Sequence, residues 1–309
     1  MRVLVDFPWA NSEEWLAELR RQAPGVDLHQ WPDVGEAGGI DAAVVWTPPR
    51  DFFRGLKNLK AIIVPGAGVD QLWRGGEALP DVPVIRLTDP LMAMRMAEYV
   101  LAMVLNHHRQ LGVYRGQQAR HLWARHHHPD PGDIKVGVMG LGVLGAAAVH
   151  HLSAIGYDVA GWSRRPKAIP GVRTFAGDAQ FSAFLAASAI LVCLLPLTDA
   201  TRGILNQGTF AALADGAYVI NAARGAHLIA PDLLAALEQG KLSGAALDVF
   251  EDEPLPASSL LWDHPKITVT PHIASLSNPT TGAGQIVDVL QRLERGEALG
   301  YRVDRTAGY

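Results

Sequence analysis

Three side chains of complementary chemistry sit behind consecutive apolar runs in the second half of this chain. Arg224 follows Ala217–Asn221 within Asn221-Ala222-Ala223-Arg224-Gly225. Glu253 follows the run Gly244–Asp248 within Leu247-Asp248-Val249-Phe250-Glu251-Asp252-Glu253-Pro254. His272 follows the run Ile267–Thr270 within Thr270-Pro271-His272-Ile273-Ala274. An arginine, an acid and a histidine are what reduction of a 2-oxo acid requires. A guanidinium grips the carboxylate through two parallel hydrogen bonds and polarises the ketone. An imidazole that titrates near neutrality protonates the nascent alkoxide. A carboxylate bonded to that imidazole orients the ring and favours its charged form. Taken singly, a Glu before Pro is a turn residue and a His after Pro is structural. Placed after consecutive strands they fall where ligands bind in open α/β sheets, outside the carboxyl ends.

A second constellation precedes them. Gly140-Leu141-Gly142-Val143-Leu144-Gly145 follows the apolar run Ile134–Met139 and opens a helical stretch, the context that a dinucleotide fingerprint needs. Gly140 permits the tight turn, Gly142 leaves the pyrophosphate unobstructed, and Gly145 lets the helix pack closely on the sheet. The unpaired N–H groups at the helix start then stabilise phosphate charge. The next strand ends at Gly161-Trp162-Ser163-Arg164-Arg165-Pro166-Lys167. An NAD site places Asp or Glu here to accept from the ribose 2′-OH. This chain has Ser163, with Arg164 and Arg165 as donor forks for a 2′-phosphate and Lys167 adding charge nearby. The cofactor expectation is therefore NADPH (NADP) in preference to NADH.

The elements that must position these residues read as two α/β series. At 309 residues the chain is about twice the ~150 of one domain. Val3–Asp6, Ala42–Trp46, Lys60–Val64 and Val84–Arg86 form short β-rich runs, and Asn11 starts a helix with Trp15, Leu16 and Leu19 on one face. Met92–Leu111 reads as one long helix and 112–133 as a polar connecting segment. Six further strands follow, at Ile134–Met139, Val159–Trp162, Ala189–Leu194, Ala217–Asn221, Gly244–Asp248 and Ile267–Thr270, with a last helix over Gly282–Glu297. The fold class expected is α/β, two Rossmann-like parallel-sheet domains with a cleft between them.

Composition narrows the partners. A net charge of −4 lacks the basic surplus of a nucleic-acid binder. No stretch approaches 18 uninterrupted apolar residues and the N-terminus carries no secretion signal, so neither a membrane span nor export is expected. The single cysteine, Cys193, fits a reducing compartment, and the expected localisation is cytoplasmic.

In combination these motifs resemble the D-isomer-specific 2-hydroxyacid dehydrogenase family over nearly the whole chain. The resemblance rests on Gly66-Ala67-Gly68-Val69-Asp70, Met96-Ala97-Glu98-Tyr99-Val100, the glycine fingerprint, Ile220–Gly225, Leu247–Phe250 with Glu253-Pro254-Leu255, and Thr270-Pro271-His272. It implies that Arg224 binds and polarises substrate, that His272 is the acid/base and that Glu253 is its partner. The backbone of Ala67, Gly68 and Val69 would hold the substrate carboxylate. Leu195, Pro196, Ala222, Ala223, Asp248 and His272 would join residues 140–145 and 163–165 around the cofactor. It also implies a discontinuous substrate domain, residues 1–98 plus 282–309, and a dinucleotide domain, residues 99–281. Val45-Trp46-Thr47-Pro48-Pro49, Asp89-Pro90-Leu91-Met92 and the tail Val303–Tyr309 are similar to the bacterial NADPH-dependent A-type subgroup of glyoxylate/hydroxypyruvate reductases. Trp46, at a strand end, would either wall off a pocket for small 2-oxo acids or serve as a core residue; the reactions implied are glyoxylate to glycolate and hydroxypyruvate to D-glycerate. Family members pair through the cofactor domain, so a homodimer is expected, with residues 112–131 as the arm.

Rival readings have identifiable weaknesses. Phosphoglycerate dehydrogenases often add a regulatory domain, and formate dehydrogenases carry Gln where Glu253 stands. A non-catalytic dinucleotide sensor would have no need of Arg224, Glu253 and His272 together. The pairs His107-His108 and His150-His151 lie on helices, where adjacent side chains diverge, and His126-His127-His128 lies in the polar segment, so no metal is expected.

Overall fold

The computed structural model describes residues 1–309 except Ala10, Gly75 and Glu77. The chain divides into two units. Residues Met1–Met92 with Ser277–Tyr309 form the first, and Ala93–Leu276 the second.

In the first unit, β1 (Arg2–Asp6), α1 (Ser12–Gln22), β2 (Asp27–Gln30), β3 (Ala42–Val45), β4 (Ala61–Val64) and β5 (Val84–Arg86) follow in order. Among the described residues the strands form one parallel sheet in the order β2-β1-β3-β4-β5. A parallel sheet covered on both faces needs uninterrupted apolar strands, and β3 and β4 are buried at every residue. Helix α1 buries Trp15, Leu16 and Leu19 as its spacing requires, with Glu13 and Glu14 in its first turn and Arg20 and Arg21 in its last, matching the helix dipole.

The second unit runs α2 (Pro90–His108, its first turn holding the boundary), α3 (Leu111–Ala119), β6 (Lys135–Met139), α4 (Val143–Ile155), β7 (Asp158–Ser163), β8 (Arg173–Ala176), α5 (Phe181–Ala186) and β9 (Ile190–Cys193). It continues through α6 (Gln207–Ala212), β10 (Ala217–Asn221), α7 (Ala230–Glu238), β11 (Leu242–Leu247) and β12 (Ile267–Val269). The described strands form a second parallel sheet, β12-β11-β10-β9-β6-β7-β8. Strand order reverses between β6 and β9, the switch point at which such sheets open a crevice for ligands. Met139 pairs with Cys193, Cys193 with Asn221, Asn221 with Leu247 and Leu247 with Val269. Five neighbouring strands therefore end in one row, and the loops beyond them emerge side by side. Helices α2 and α4 cover one face through Val100, Val104, Val149 and Leu152, while α5, α6 and α7 cover the other through Phe184, Phe210, Leu233 and Leu237.

Two parallel-sheet α/β units match the expected fold class. Three local expectations do not hold. The helix expected to reach Leu111 stops at His108, because Gln110 takes a left-handed backbone (φ +51°). The supposed connecting segment then restarts as α3, where Gln117 is buried. Two strands, β2 and β8, were not anticipated. Both are sheet edges, only partly buried, so they need no apolar run to mark them.

The last helix, α8 (Pro279–Arg295), returns to the first unit. Asn278 caps it by accepting from the N–H groups of Thr280 and Thr281, and Gly296 ends it in the left-handed region (φ +66°). Its residues Ala283, Ile286 and Leu290 join the cluster of Val3, Val5, Trp15 and Leu19. Trp15 is 1% exposed and lies against Gly282, where an added Cβ would stand 2.3 Å from the indole. Gly282→Ala should therefore overpack this contact and cost about 1–3 kcal/mol. Thermal denaturation of the variant should show a lowered midpoint; an unchanged one would mean that α8 shifts freely.

Candidate active site

The glycine turn begins one residue after β6. Gly140 has φ +97°, and a Cβ there would lie 2.6 Å from the carbonyl oxygen of Leu194. A Cβ on Gly145 would lie 1.7 Å from the carbonyl oxygen of Gly140, so α4 starts as close to the strand as backbone allows. At Gly142 nothing stands within 4 Å of a built Cβ, leaving open space over the turn. Leu141 is buried, Leu144 partly so, and Val143 exposed. This is an anion cradle of the kind a pyrophosphate fits.

At the end of β7 the Ser163 hydroxyl donates to the carbonyl of Arg165 (2.8 Å), closing the turn; the side chains of Arg164 and Arg165 are exposed. Lys167 does more than add charge. Its Nζ donates to the Leu141 carbonyl at 2.6 Å, tying the basic turn to the glycine turn. A dinucleotide with an additional phosphate fits this donor set, which presents cations and no carboxylate from 163 to 167.

The loop after β10 is built on Asn221, fully buried. Its Nδ2 donates to the carbonyl of Arg224 (3.0 Å) and its Oδ1 accepts from the N–H of Ala223 (3.2 Å), so one side chain folds the backbone of Ala222, Ala223 and Arg224. Arg224 is partly buried, its Nη1 donating to the Ala223 carbonyl at 2.7 Å. Gly225 then presses on the neighbouring loop. A Cβ there would lie 1.8 Å from the carbonyl carbon of Phe250. Only a glycine brings the Arg224 loop this close to the loop bearing Glu253.

His272 and Glu253 are joined directly. Nδ1 of His272 lies 2.7 Å from Oε2 of Glu253, whose Oε1 accepts from the N–H of Phe250 at 2.9 Å. Burial pushes the Glu253 pKa up, but the bonds from His272 and Phe250, with the charges of His272 and Arg224, outweigh it and hold the acid below its ordinary value. Arg224 and His272 thus both act electrostatically on Glu253. With Nδ1 engaged, the ring presents Nε2 on its other edge, and the His272 side chain is 41% exposed.

His272 has a left-handed backbone, φ +54°, which costs a bulky residue about 1–3 kcal/mol. Asp248 holds it there. The Asp248 carbonyl accepts from the His272 N–H (2.8 Å). Its carboxylate, 1% exposed, accepts from the Thr270 hydroxyl (2.6 Å) and the N–H groups of Ile273 (2.9 Å) and Ala274 (2.8 Å). The family resemblance implies Asp248 as a cofactor contact; in the structure its carboxylate also bonds the loop on both sides of His272. Asn221 and Thr270 are further residues whose roles sequence reasoning passed over, and the tie that Lys167 makes to the glycine turn was likewise not foreseen. A polar residue closing an apolar strand was the available signal for Asn221.

Leu195, beside the glycine turn, and Ala222 and Ala223, after β10, are buried, and Pro196 is partly buried. In the first unit, Trp46 follows β3 and lies over Gly66, where a Cβ would stand 2.3 Å from its ring; Trp9 flanks it at 5.8 Å. Ala67 and Gly68 are partly exposed and Val69 is buried, and the buried Gln71 donates to the Gly68 carbonyl at 3.0 Å. Among the described residues no group of three His, Cys, Asp or Glu side chains could hold a metal, and no helix is long and apolar enough to cross a membrane.

Comparison with known proteins agrees along the whole chain. Residues 101–274 match the family model of the D-isomer specific 2-hydroxyacid dehydrogenase NAD binding domain. Glyoxylate/hydroxypyruvate reductase A of Serratia proteamaculans is 42% identical over 314 residues, covering 100% of both chains. A D-isomer specific 2-hydroxyacid dehydrogenase from Xanthobacter autotrophicus, solved with NADPH and MES, superposes with a TM-score of 0.95 at 43% identity, covering 100% of this chain and 99% of that one. An NADPH-dependent glyoxylate/hydroxypyruvate reductase from Sinorhizobium meliloti, solved with NADP and sulfate, gives 0.94 at 40% identity, again over 100% and 99%.

The lowered pKa of Glu253 has a sign in stability. An acid whose folded pKa is depressed stabilises the fold above its unfolded value, near 4.5, and this contribution is lost as pH falls through the folded value. Acid denaturation followed by circular dichroism should therefore be less steep below pH ~4.5 in Glu253→Gln than in the wild type. An identical acid limb in both would mean that the carboxylate gains nothing from its partners.

Proposed function

Because the chain belongs to the D-isomer-specific 2-hydroxyacid dehydrogenase family, we propose that it reduces small 2-oxo acids, glyoxylate and hydroxypyruvate, at the expense of NADPH. The observation that carries this reading is the 2.7 Å bond between Glu253 and His272 within the electrostatic reach of Arg224. NADPH would supply the hydride. Residues 140–145 would hold its pyrophosphate, with Leu195, Pro196, Ala222, Ala223 and Asp248 lining the rest of the dinucleotide. Ser163, Arg164, Arg165 and Lys167 would receive the 2′-phosphate, and the cationic run supports NADPH over NADH.

The protein's own groups divide the remaining work. Arg224 binds the substrate carboxylate and draws electron density from the carbonyl as negative charge develops on oxygen. His272, held through Nδ1 by Glu253, donates the Nε2 proton to that oxygen, and Glu253 stabilises the imidazolium beforehand. The N–H groups of Ala67, Gly68 and Val69 are assigned to the substrate carboxylate, and Trp46 to the limit on side-chain size. The relatives named as glyoxylate/hydroxypyruvate reductases support this substrate class. A panel of 2-oxo acids assayed with NADPH and NADH tests the reading. Glyoxylate and hydroxypyruvate should give the highest kcat/KM, with NADPH favoured. His272→Ala should lose most turnover, about 10²–10⁴-fold, while binding NADPH as the wild type does. A wild type that binds NADPH but turns over none of the panel would refute it.

We place the protein in the cytoplasm as a homodimer. The buried thiol of Cys193 suits a reducing compartment. Trp123, 88% exposed, and Leu122, 51% exposed, lie in the segment after α3 and offer apolar surface that a second copy would cover. Sedimentation should report twice the 33.2 kDa chain mass, falling toward a single chain in Trp123→Lys. A wild-type monomer at micromolar concentration would exclude the dimer.

A further inference from the structure

His227 belongs to the short helical turn Gly225–His227 that follows Arg224, and its side chain is completely buried. An imidazole removed from water costs free energy unless its N–H finds an acceptor, and an apolar residue would fill the same space without that cost. Both ring nitrogens face carbonyl oxygens. Nδ1 lies 3.2 Å from the carbonyl of Arg224 and Nε2 lies 3.3 Å from the carbonyl of Pro196. These carbonyls belong to two different loops, one after β10 and one after β9.

Lone-pair accounting separates the two contacts. A carbonyl oxygen has two lone pairs. That of Arg224 already takes the Nδ2 of Asn221 at 3.0 Å and the N–H of His227 itself at 3.2 Å. Among the described residues that of Pro196 takes the Thr201 hydroxyl at 2.7 Å, which leaves a place for one further donor. A neutral ring has one N–H, and the bond that adds a connection is Nε2–H to Pro196. The contact through Nδ1 would only duplicate a carbonyl that its own loop already satisfies.

We infer that His227 is a positioning residue in the Nε2–H tautomer, pinning the Pro196 loop to the Arg224 loop so that cofactor-lining backbone and guanidinium are held in one register. This rests on the functional reading above, since that reading gives Leu195, Pro196 and Arg224 their roles. The bond spans 31 residues of sequence and ties the two loops next to the strand ends, where Cys193 pairs with Asn221, whereas the backbone bonds that join them, Gly203 N–H to the Ala226 carbonyl and Leu205 N–H to that of His227, lie farther along both loops. Thr201 anchors the Pro196 loop from within; His227 anchors it from the neighbouring strand.

A pair of amides tests the donor's location. The glutamine amide nitrogen reaches where Nε2 stands, and that of asparagine where Nδ1 stands. His227→Gln should keep the NADPH dissociation constant and kcat within about threefold of the wild type. His227→Asn should weaken NADPH binding and lower kcat by about tenfold each, the ratio that one lost hydrogen bond commands. Thermal midpoints of the two variants should be similar, so that packing loss does not explain the split. Equal NADPH affinity and kcat in Asn and Gln variants would overturn the inference, because the ring would then only fill space. If neither variant folds, nitrogen-15 spectra of histidine in the wild type decide, and an Nδ1–H tautomer at His227 overturns it. Absence of turnover on every 2-oxo acid in the wild type, with the affinity split intact, would refute the functional reading and leave the loop pin standing.

Discussion

The whole candidate site depends on one buried carboxylate. Asp248 sits at the end of β11, 1% exposed, and takes three hydrogen bonds from the loop that carries His272. A carboxylate in such a place costs several kcal/mol in lost hydration unless donors replace the water. The donors are Thr270 on one side of His272 and the N–H groups of Ile273 and Ala274 on the other, so the loop cannot relax without exposing the charge to unpaired burial. Each charge-assisted bond contributes about 1.5–3 kcal/mol, comparable to the ~1–3 kcal/mol that the left-handed backbone of His272 costs. Strain at the proposed acid is therefore matched by the bonds that impose it. The sheet contributes the precondition, because Leu247 and Val269 pair in register and bring the two strand ends together.

The remaining loops are set by contact distances that admit no side chain. Gly225 abuts the backbone of Phe250, and the Glu253 carboxylate accepts from the N–H of that same Phe250. The loop with the guanidinium and the loop with the acid are thus two sides of one packed backbone contact. Asn221 does for the first what Asp248 does for the third, folding three residues with one side chain. Neutral amide and charged carboxylate suit different tasks. Asn221 must both donate and accept, whereas Asp248 faces donors alone. Preorganisation of this sort leaves little for substrate binding to arrange within the second unit.

Legibility followed the physical origin of each feature. Buried central strands announce themselves through apolar runs, so β3, β4, β9 and β10 were readable, as was the buried face of α1. Edge strands β2 and β8 were not, since Asp27–Gln30 and Arg173–Ala176 have no face to bury in full. The break at Gln110 was silent because a left-handed residue without glycine leaves no mark in composition. Within the site, Arg224, Glu253 and His272 were legible from chemistry and strand ends. The residues holding them were harder. The carboxylate of Asp248 and the amide of Asn221 act through backbone groups, which every sequence shares, and the imidazole of His227 is distinguishable from a core histidine only when its two carbonyl neighbours are located.

The basic turn after β7 shows why position adds to charge. Arg165 is exposed, and ordering its long side chain around an anion costs rotamer entropy. Lys167 is already ordered, because Nζ holds the Leu141 carbonyl at 2.6 Å inside the glycine turn. An ammonium carries three N–H donors, and this bond uses one. The cation therefore stands where the basic turn meets the glycine turn, and it restrains the turn whose N–H groups would face a pyrophosphate. A carboxylate in place of Ser163 would add repulsion for a second phosphate at that point. The serine hydroxyl instead closes the turn onto Arg165 and carries no charge. A dinucleotide with an additional phosphate would therefore meet one tethered lysine as well as the arginines of the turn.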